Sequence, residues 1–226
     1  MTSMLFANAA VDLFKDGGPI MWPILVVALT ALAVVGERTF WWIREGTKRD
    51  IETLEKVLAS MENSDFRSAI QLSKGSDDPI VRMIYRGLSH VHGSLTGALQ
   101  IAAGAEIKRA GRFLVLIDTC ITVAPLLGLL GTVTGIMGSF KSVGGNELAV
   151  EGVSAGIGEA LIATAAGLGI AIFCLLPFNY FNERLTKLQF ELETAATNVE
   201  VMVAKAKMDG FDTMVFRREN LSVLED

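Results

Sequence analysis

The sequence predicts an all-α integral membrane protein with three transmembrane helices and long cytoplasmic helical extensions. Three observations carry this reading. The 226-residue chain is 51% hydrophobic and only 20% charged, with a mean hydropathy of +0.44, too apolar for an ordinary soluble domain. The surplus is gathered into three blocks, each long enough to cross a hydrocarbon layer of roughly 30 Å as a helix. Between and after these blocks, apolar residues recur at helical spacing. Acidic residues outnumber basic ones, 25 to 20, and there are 2 cysteines. That balance argues against a nucleic-acid binder, a disulfide scaffold and a disordered chain.

The first uncharged block runs from Ile20 to Gly36, with Trp22 at its start and Trp41 and Trp42 just past its end, where an interfacial aromatic belt belongs. The Ala31-Leu32-Ala33 pattern has the look of a signal-peptidase site. The residues before the block include Asp12, Lys15 and Asp16 rather than a positive n-region, and Glu37-Arg38 reads as a stop at the membrane surface. The second block is 119–140. The third is 160–182, reaching back to Gly152 if one charge, Glu159, is tolerated. Lysines and arginines near the helix ends set the orientation. Arg38, Arg44, Lys48, Arg49, Lys108, Arg109, Arg112, Arg184 and Lys187 fall on one side, against Lys15 and Lys141 on the other. The expected layout is an extracytoplasmic 1–18, a first span 19–36, a cytoplasmic helical segment 37–113, a second span 114–140, an outer loop 141–151, a third span 152–182, and a cytoplasmic extension and tail 183–226.

The soluble parts carry helix signals. Ile51, Leu54, Val57, Leu58 and Met61 share a face, and Asp78-Pro79 is a cap followed by a first-turn proline. Leu185, Leu188, Leu192, Ala195, Val199, Met202 and Ala206 form an unbroken seam at coiled-coil period. The seam can pack on residues 37–113 of its own subunit or between subunits. With neither proline nor glycine in 183–209, the third helix is expected to continue about 35–40 Å into the cytoplasm and to stop at Gly210. No catalytic constellation, metal-ligand spacing or phosphate loop is present, so neither an enzyme nor a cofactor or metal site is expected. His90 and His92, two apart among glycines, read as a solvated pair.

Spans two and three are built for more than anchoring. Gly128, Gly131, Gly135 and Gly138 lay a glycine strip along one, and Gly156, Ala160, Ala163, Gly167 and Ala171 a small-residue strip along the other. Such strips let backbones approach where lipid offers no hydrophobic drive. Pro125 removes the hydrogen bond to the Ile121 carbonyl and should kink span two. Cys120 and Cys174 read as small hydrophobes. Asp118, near Arg112, reads as a surface pair or solvated cap. Glu159 is the costly group: it lies roughly 12 Å to the outer side of the centre of its stretch, on the face of Gly156, Ala160, Ala163 and Gly167. It points at protein or a pore, or is a carboxylate hydrated at the outer interface. Thr132 and Thr164 offer hydroxyls, and a plain bond back to the preceding turn is the ordinary alternative for each.

Together, Ala124-Pro-Leu-Leu-Gly-Leu-Leu-Gly-Thr-Val-Thr-Gly-Ile-Met-Gly-Ser-Phe140 and Gly156-Ile-Gly-Glu-Ala-Leu-Ile-Ala-Thr-Ala-Ala-Gly-Leu-Gly169 resemble the MotA/TolQ/ExbB proton-channel family, and most closely its ExbB-like members. The resemblance implies a homopentameric ring in the bacterial inner membrane, around a single-span partner dimer similar to ExbD or TolR that supplies the protonatable aspartate. It also implies a TonB-like energy transducer and a role in energising outer-membrane transport. Carried over residue by residue, it assigns Thr132, Glu159 and Thr164 to the ion pathway. A TolQ-like or gliding-type motor, and a non-conducting membrane scaffold, remain alternatives at this point.

Overall fold

The computed structural model describes residues 11–89, 94–142 and 149–210; His90 and His92 lie outside the described residues. After a helical stretch at 11–16, seven helices follow among the described residues: α1 Met21–Gly46, α2 Ile51–Glu62, α3 Phe66–Ser73, α4 Pro79–Ser89, α5 Leu95–Ala110, α6 Leu114–Ser142 and α7 Ala149–Met208. No strand occurs among these residues. Three segments are long and apolar enough to cross a membrane, Met21–Gly46, Leu114–Phe140 and Gly152–Met208. The chain is a multi-pass membrane protein. The contacts divide it into two compact units, one of Met1–Thr39 with Phe113–Phe181, the other of Phe40–Arg112 with Asn182–Asp226.

The first unit holds the apolar helices. Val26, Leu29, Leu32, Leu126, Leu129, Val133, Leu161, Ile172 and Leu176 all face outward. In water these side chains would be an aggregation surface; in a bilayer they meet hydrocarbon. Cys120 and Cys174 are buried, and the Cys120 thiol lies 4.0 Å from the Val27 carbonyl. Arg38, expected as a surface stop, is buried. Its guanidinium is forked onto the Glu37 carboxylate at 2.5 and 2.7 Å and lies 5.7 Å from the centre of the Phe113 ring. The fork and the ring face explain how a charge tolerates that burial.

The second unit is a helical bundle with one core. Val57 and Met61 of α2, Phe66 and Ile70 of α3, Ile80, Val81, Ile84 and Leu88 of α4, and Leu99 and Ala103 of α5 pack together with Leu188, Leu192, Ala195, Val199 and Ala206 of α7. The coiled-coil seam is therefore covered within its own chain, while Leu185 and Met202 flank the same core. Trp41 and Trp42, expected in an interfacial belt, stand edge to face at 5.1 Å and pack against it too.

Capping sets the helix starts. Asp78 accepts from the Ile80 and Val81 amides at 2.8 and 3.3 Å and from the Asp50 amide at 3.0 Å. Pro79 then fills the first-turn position whose N–H has no helical partner. Asp50 and Asp65 cap α2 and α3. The Thr53 hydroxyl and amide lower the pKa of Asp50 below its ordinary value, and Ser68 does the same for Asp65. At the other end, Gly210 takes φ +91° and its amide bonds the Lys207 carbonyl at 3.2 Å, closing α7.

Buried charge ties α4 to α5. Glu106 is 3% exposed and accepts from Arg82 Nε and Nη2 at 2.8 and 2.5 Å and from Arg86 Nη1 at 3.1 Å. Arg82 also reaches Glu45 at 3.4 Å. The Glu106 hydrogen bond, assisted by both carboxylates, raises the Arg82 pKa and keeps it charged. Glu106→Ala strands that cation beside a core, at a cost of about 3 kcal/mol, the low end for a broken buried pair because Glu45 remains. Thermal unfolding of the full protein in detergent checks this: a clear drop in Tm is expected, and an unchanged Tm would show the pair to be idle.

Candidate ion-pathway site

The two small-residue strips pack on each other within one chain. A Cβ built on Gly128 would lie 2.9 Å from Thr164 Cα and 3.0 Å from the Ala163 carbonyl oxygen. On Gly131 it would lie 2.6 Å from Ala163 Cβ and 2.9 Å from Ile20 Cγ2. On Gly135 it would lie 3.0 Å from Ala160 Cβ and 3.1 Å from the Gly156 carbonyl oxygen. From α7, a Cβ on Gly167 would overlap the Ala124 carbonyl oxygen, and one on Gly156 would overlap Ser139 Oγ. Ala124, Ala160 and Ala163 are buried in this contact. Gly138 differs: a Cβ there meets nothing within 4 Å among the described residues, and the residue lines a pocket instead. Helix α6 continues through Pro125, whose ring nitrogen leaves the Ile121 carbonyl without its helical donor.

This close approach decides what the threonines do. Thr164 Oγ1 donates to the Gly128 carbonyl across the helix pair at 2.9 Å, a bond that a side chain on Gly128 would obstruct. Thr132 Oγ1 donates to Leu129 of its own helix at 2.6 Å, the ordinary backbone bond of a membrane threonine. Both residues are half-buried.

Glu159 is half-buried as well. Its carboxylate lies against Gly18, where a Cβ would overlap Oε1 and Cδ. It also lines a pocket of about 570 Å³ with Pro19, Ile20, Thr134, Ser139 and Gly156. Among the described residues no hydrogen bond joins Thr132, Glu159 and Thr164 to one another. Glu159 and Thr164 are about 7–8 Å apart along the α7 axis by helical rise, too far for a direct hydrogen bond. The described residues hold no cluster of His, Cys, Asp or Glu that fits a metal ion.

Sequence periodicity brings out the strips and Glu159 but passes over the residues that surround the carboxylate: Gly18, Thr134 and, apart from its place beside the strip, Ser139. One signal was legible. Gly17-Gly18-Pro19 immediately before an apolar block is a helix stop followed by a helix start.

The model of the MotA/TolQ/ExbB proton channel family matches residues 75–194, a stretch that contains Thr132, Glu159 and Thr164. The chain is 36% identical over 175 residues to the ExbB-like 1 biopolymer transport protein of Synechocystis sp., covering 74% of this chain and 68% of that one. It is 36% identical over 171 residues to the ExbB-like 3 protein of the same organism, covering 73% and 81%. The biopolymer transport protein ExbB of Neisseria gonorrhoeae is 38% identical over 85 residues, 37% of this chain and 39% of its own length. The chain belongs to the MotA/TolQ/ExbB proton channel family.

Proposed function

We propose that this chain is an ExbB-like stator subunit of a motor driven by the proton-motive force in a bacterial inner membrane. Five copies form a ring around a dimeric, single-span partner of the ExbD or TolR kind, and a TonB-like transducer carries the work to outer-membrane transport. The amino terminus is extracytoplasmic and the second unit cytoplasmic, as the distribution of lysine and arginine supports. Thr132, Glu159 and Thr164 line the ion pathway, and the small-residue strips hold α6 and α7 together as its wall.

One observation carries the reading. Residues 119–140 and 152–182 contain neither Lys, Arg, His nor Asp and one Glu, Glu159, and that carboxylate lies against Gly18 and lines a pocket in the membrane unit. An intramembrane carboxylate of this kind is costly to keep and marks an ion route. One such group does not make a relay, which agrees with the resemblance's implication that the partner supplies the proton carrier. Neutralising and re-ionising the partner's acid changes which surface of the ring it suits. The membrane potential supplies about 2.3 kcal/mol per proton per 100 mV, comparable with the gap between conformational states.

A non-conducting scaffold is the reading to exclude. Vesicles containing this chain with its single-span partner will pass protons down an imposed gradient, and vesicles containing this chain alone will not. Flux from the chain alone would mean a complete wire in one polypeptide. Silence from the assembled complex would favour the scaffold.

A further inference from the structure

The turn ahead of α1 is folded onto Glu159. The helical stretch at 11–16 ends as the Gly17 amide bonds the Leu13 carbonyl at 3.1 Å. Gly18 then takes φ +71°, and α1 starts with the Met21 amide on the Gly18 carbonyl at 3.1 Å. Phe14 and Trp22 bracket the turn edge to face, their centroids 5.2 Å apart. Neither glycine has room for a side chain: a Cβ on Gly17 would lie 2.6 Å from Met21 Cγ and 3.1 Å from Ile162 Cγ2, and one on Gly18 would take the space the Glu159 carboxylate fills.

Beside that carboxylate, two hydroxyls, Thr134 and Ser139, face the pocket among proline, isoleucine, alanine and glycines. Thr134 donates to the Leu130 carbonyl at 2.9 Å and Ser139 to the Gly135 carbonyl at 2.9 Å. With both hydroxyl protons committed to the backbone, lone pairs remain to face the cavity. Together with a carboxylate, such a lining suits water carrying a proton, or a small cation, and repels anions.

We propose that this pocket of about 570 Å³ is the water-filled vestibule through which protons reach Glu159 from the N-terminal side of the membrane, and that Gly18 is the positioning residue that holds the Glu159 carboxylate at it. The inference rests on the reading that Glu159 belongs to the ion pathway. It adds the entrance, made within one subunit by the turn before α1 and by α6 and α7, and it adds Thr134, Ser139 and Gly18 to the residues that matter.

Two measurements test it. In a Cys120→Ala, Cys174→Ala background, Thr134→Cys in the assembled complex will react with a membrane-impermeant thiol reagent added from the N-terminal side. No reaction from that side overturns the vestibule, whatever the complex conducts. In the flux assay, Gly18→Ala will lower proton conduction about tenfold or more while the complex still assembles, since a shift of about 1 Å in an aligned group has effects of this order. Glu159→Asp, one methylene shorter, will restore part of that loss in the Gly18→Ala background. Gly75→Ala controls for the backbone alone, because Gly75 has φ +78° with nothing within 4 Å of a Cβ, and it will conduct normally. Wild-type flux from Gly18→Ala, or a loss that Glu159→Asp does not relieve, removes the positioning role. Wild-type flux from Glu159→Gln would instead overturn the functional reading and the vestibule with it. Conduction that follows sodium rather than pH would assign the entrance to sodium and overturn the proton route.

Discussion

Leucine at Gly128 will leave no stable subunit to assemble, whereas leucine at Gly138 will leave the fold intact. The two glycines belong to one strip of the sequence, yet their surroundings are opposite. At Gly128 the first added carbon already lies 2.9 Å from Thr164 Cα and 3.0 Å from the Ala163 carbonyl oxygen. Both neighbours are main chain and cannot swing aside. A leucine there must force α6 and α7 apart, which breaks the Thr164–Gly128 hydrogen bond and empties the contact around Ala124, Ala160 and Ala163. Overpacking against movable side chains costs about 1–3 kcal/mol. Against backbone on the facing helix, the cost lies at or above the top of that range. Gly167→Leu will behave in the same way from the other side, because its Cβ overlaps the Ala124 carbonyl. At Gly138 nothing lies within 4 Å among the described residues. The yield of monodisperse complex and its thermal midpoint in detergent report the difference. A well-folded Gly128→Leu complex would show that the strips do not pack on each other.

How far the fold can be read from the sequence follows from the range of each interaction. Hydropathy is a local sum, and it brings out three blocks that coincide with helices long enough to cross a membrane. Caps are local too: Asp78-Pro79 and Gly210 end up bonding where their spacing places them. Periodicity shows which residues share a face and is silent on what covers it. The seam from Leu185 to Ala206 left packing within or between subunits open, and its residues share one buried core with Val57, Ile84, Leu88 and Leu99 of the same chain. The glycine strip likewise could not say that its other half was the strip on α7. For Thr164 a bond back to its own helix is the ordinary alternative that the sequence leaves open, and its acceptor proves to be 36 positions away. Nothing local in the sequence joins Glu106, Arg82 and Glu45, which lie on three different helices, and their buried network exists only in the folded unit. The site is legible to the same extent: Glu159 stands out as an isolated carboxylate, while its neighbours Gly18, Thr134 and Ser139 come from two other stretches of chain.

Replacing Glu159 with glutamine will have the largest effect on function, and the reason is physical. The amide keeps the size and planarity of the carboxylate, so the contact with Gly18 and the shape of the pocket survive. The charge and the titratable proton do not. With neither Asp, Lys, Arg nor His in 119–140 or 152–182, no residue of those two spans replaces them. Thr164→Val will cost less, since it removes one donor from the Gly128 carbonyl, which α6 itself still engages. The most direct measurement is proton flux through vesicles holding the complex of this chain with the proposed single-span partner, wild type beside Glu159→Gln. The expected result is an assembled Glu159→Gln complex that no longer conducts. An assembled complex conducting at the wild-type rate would contradict a place for Glu159 in the pathway.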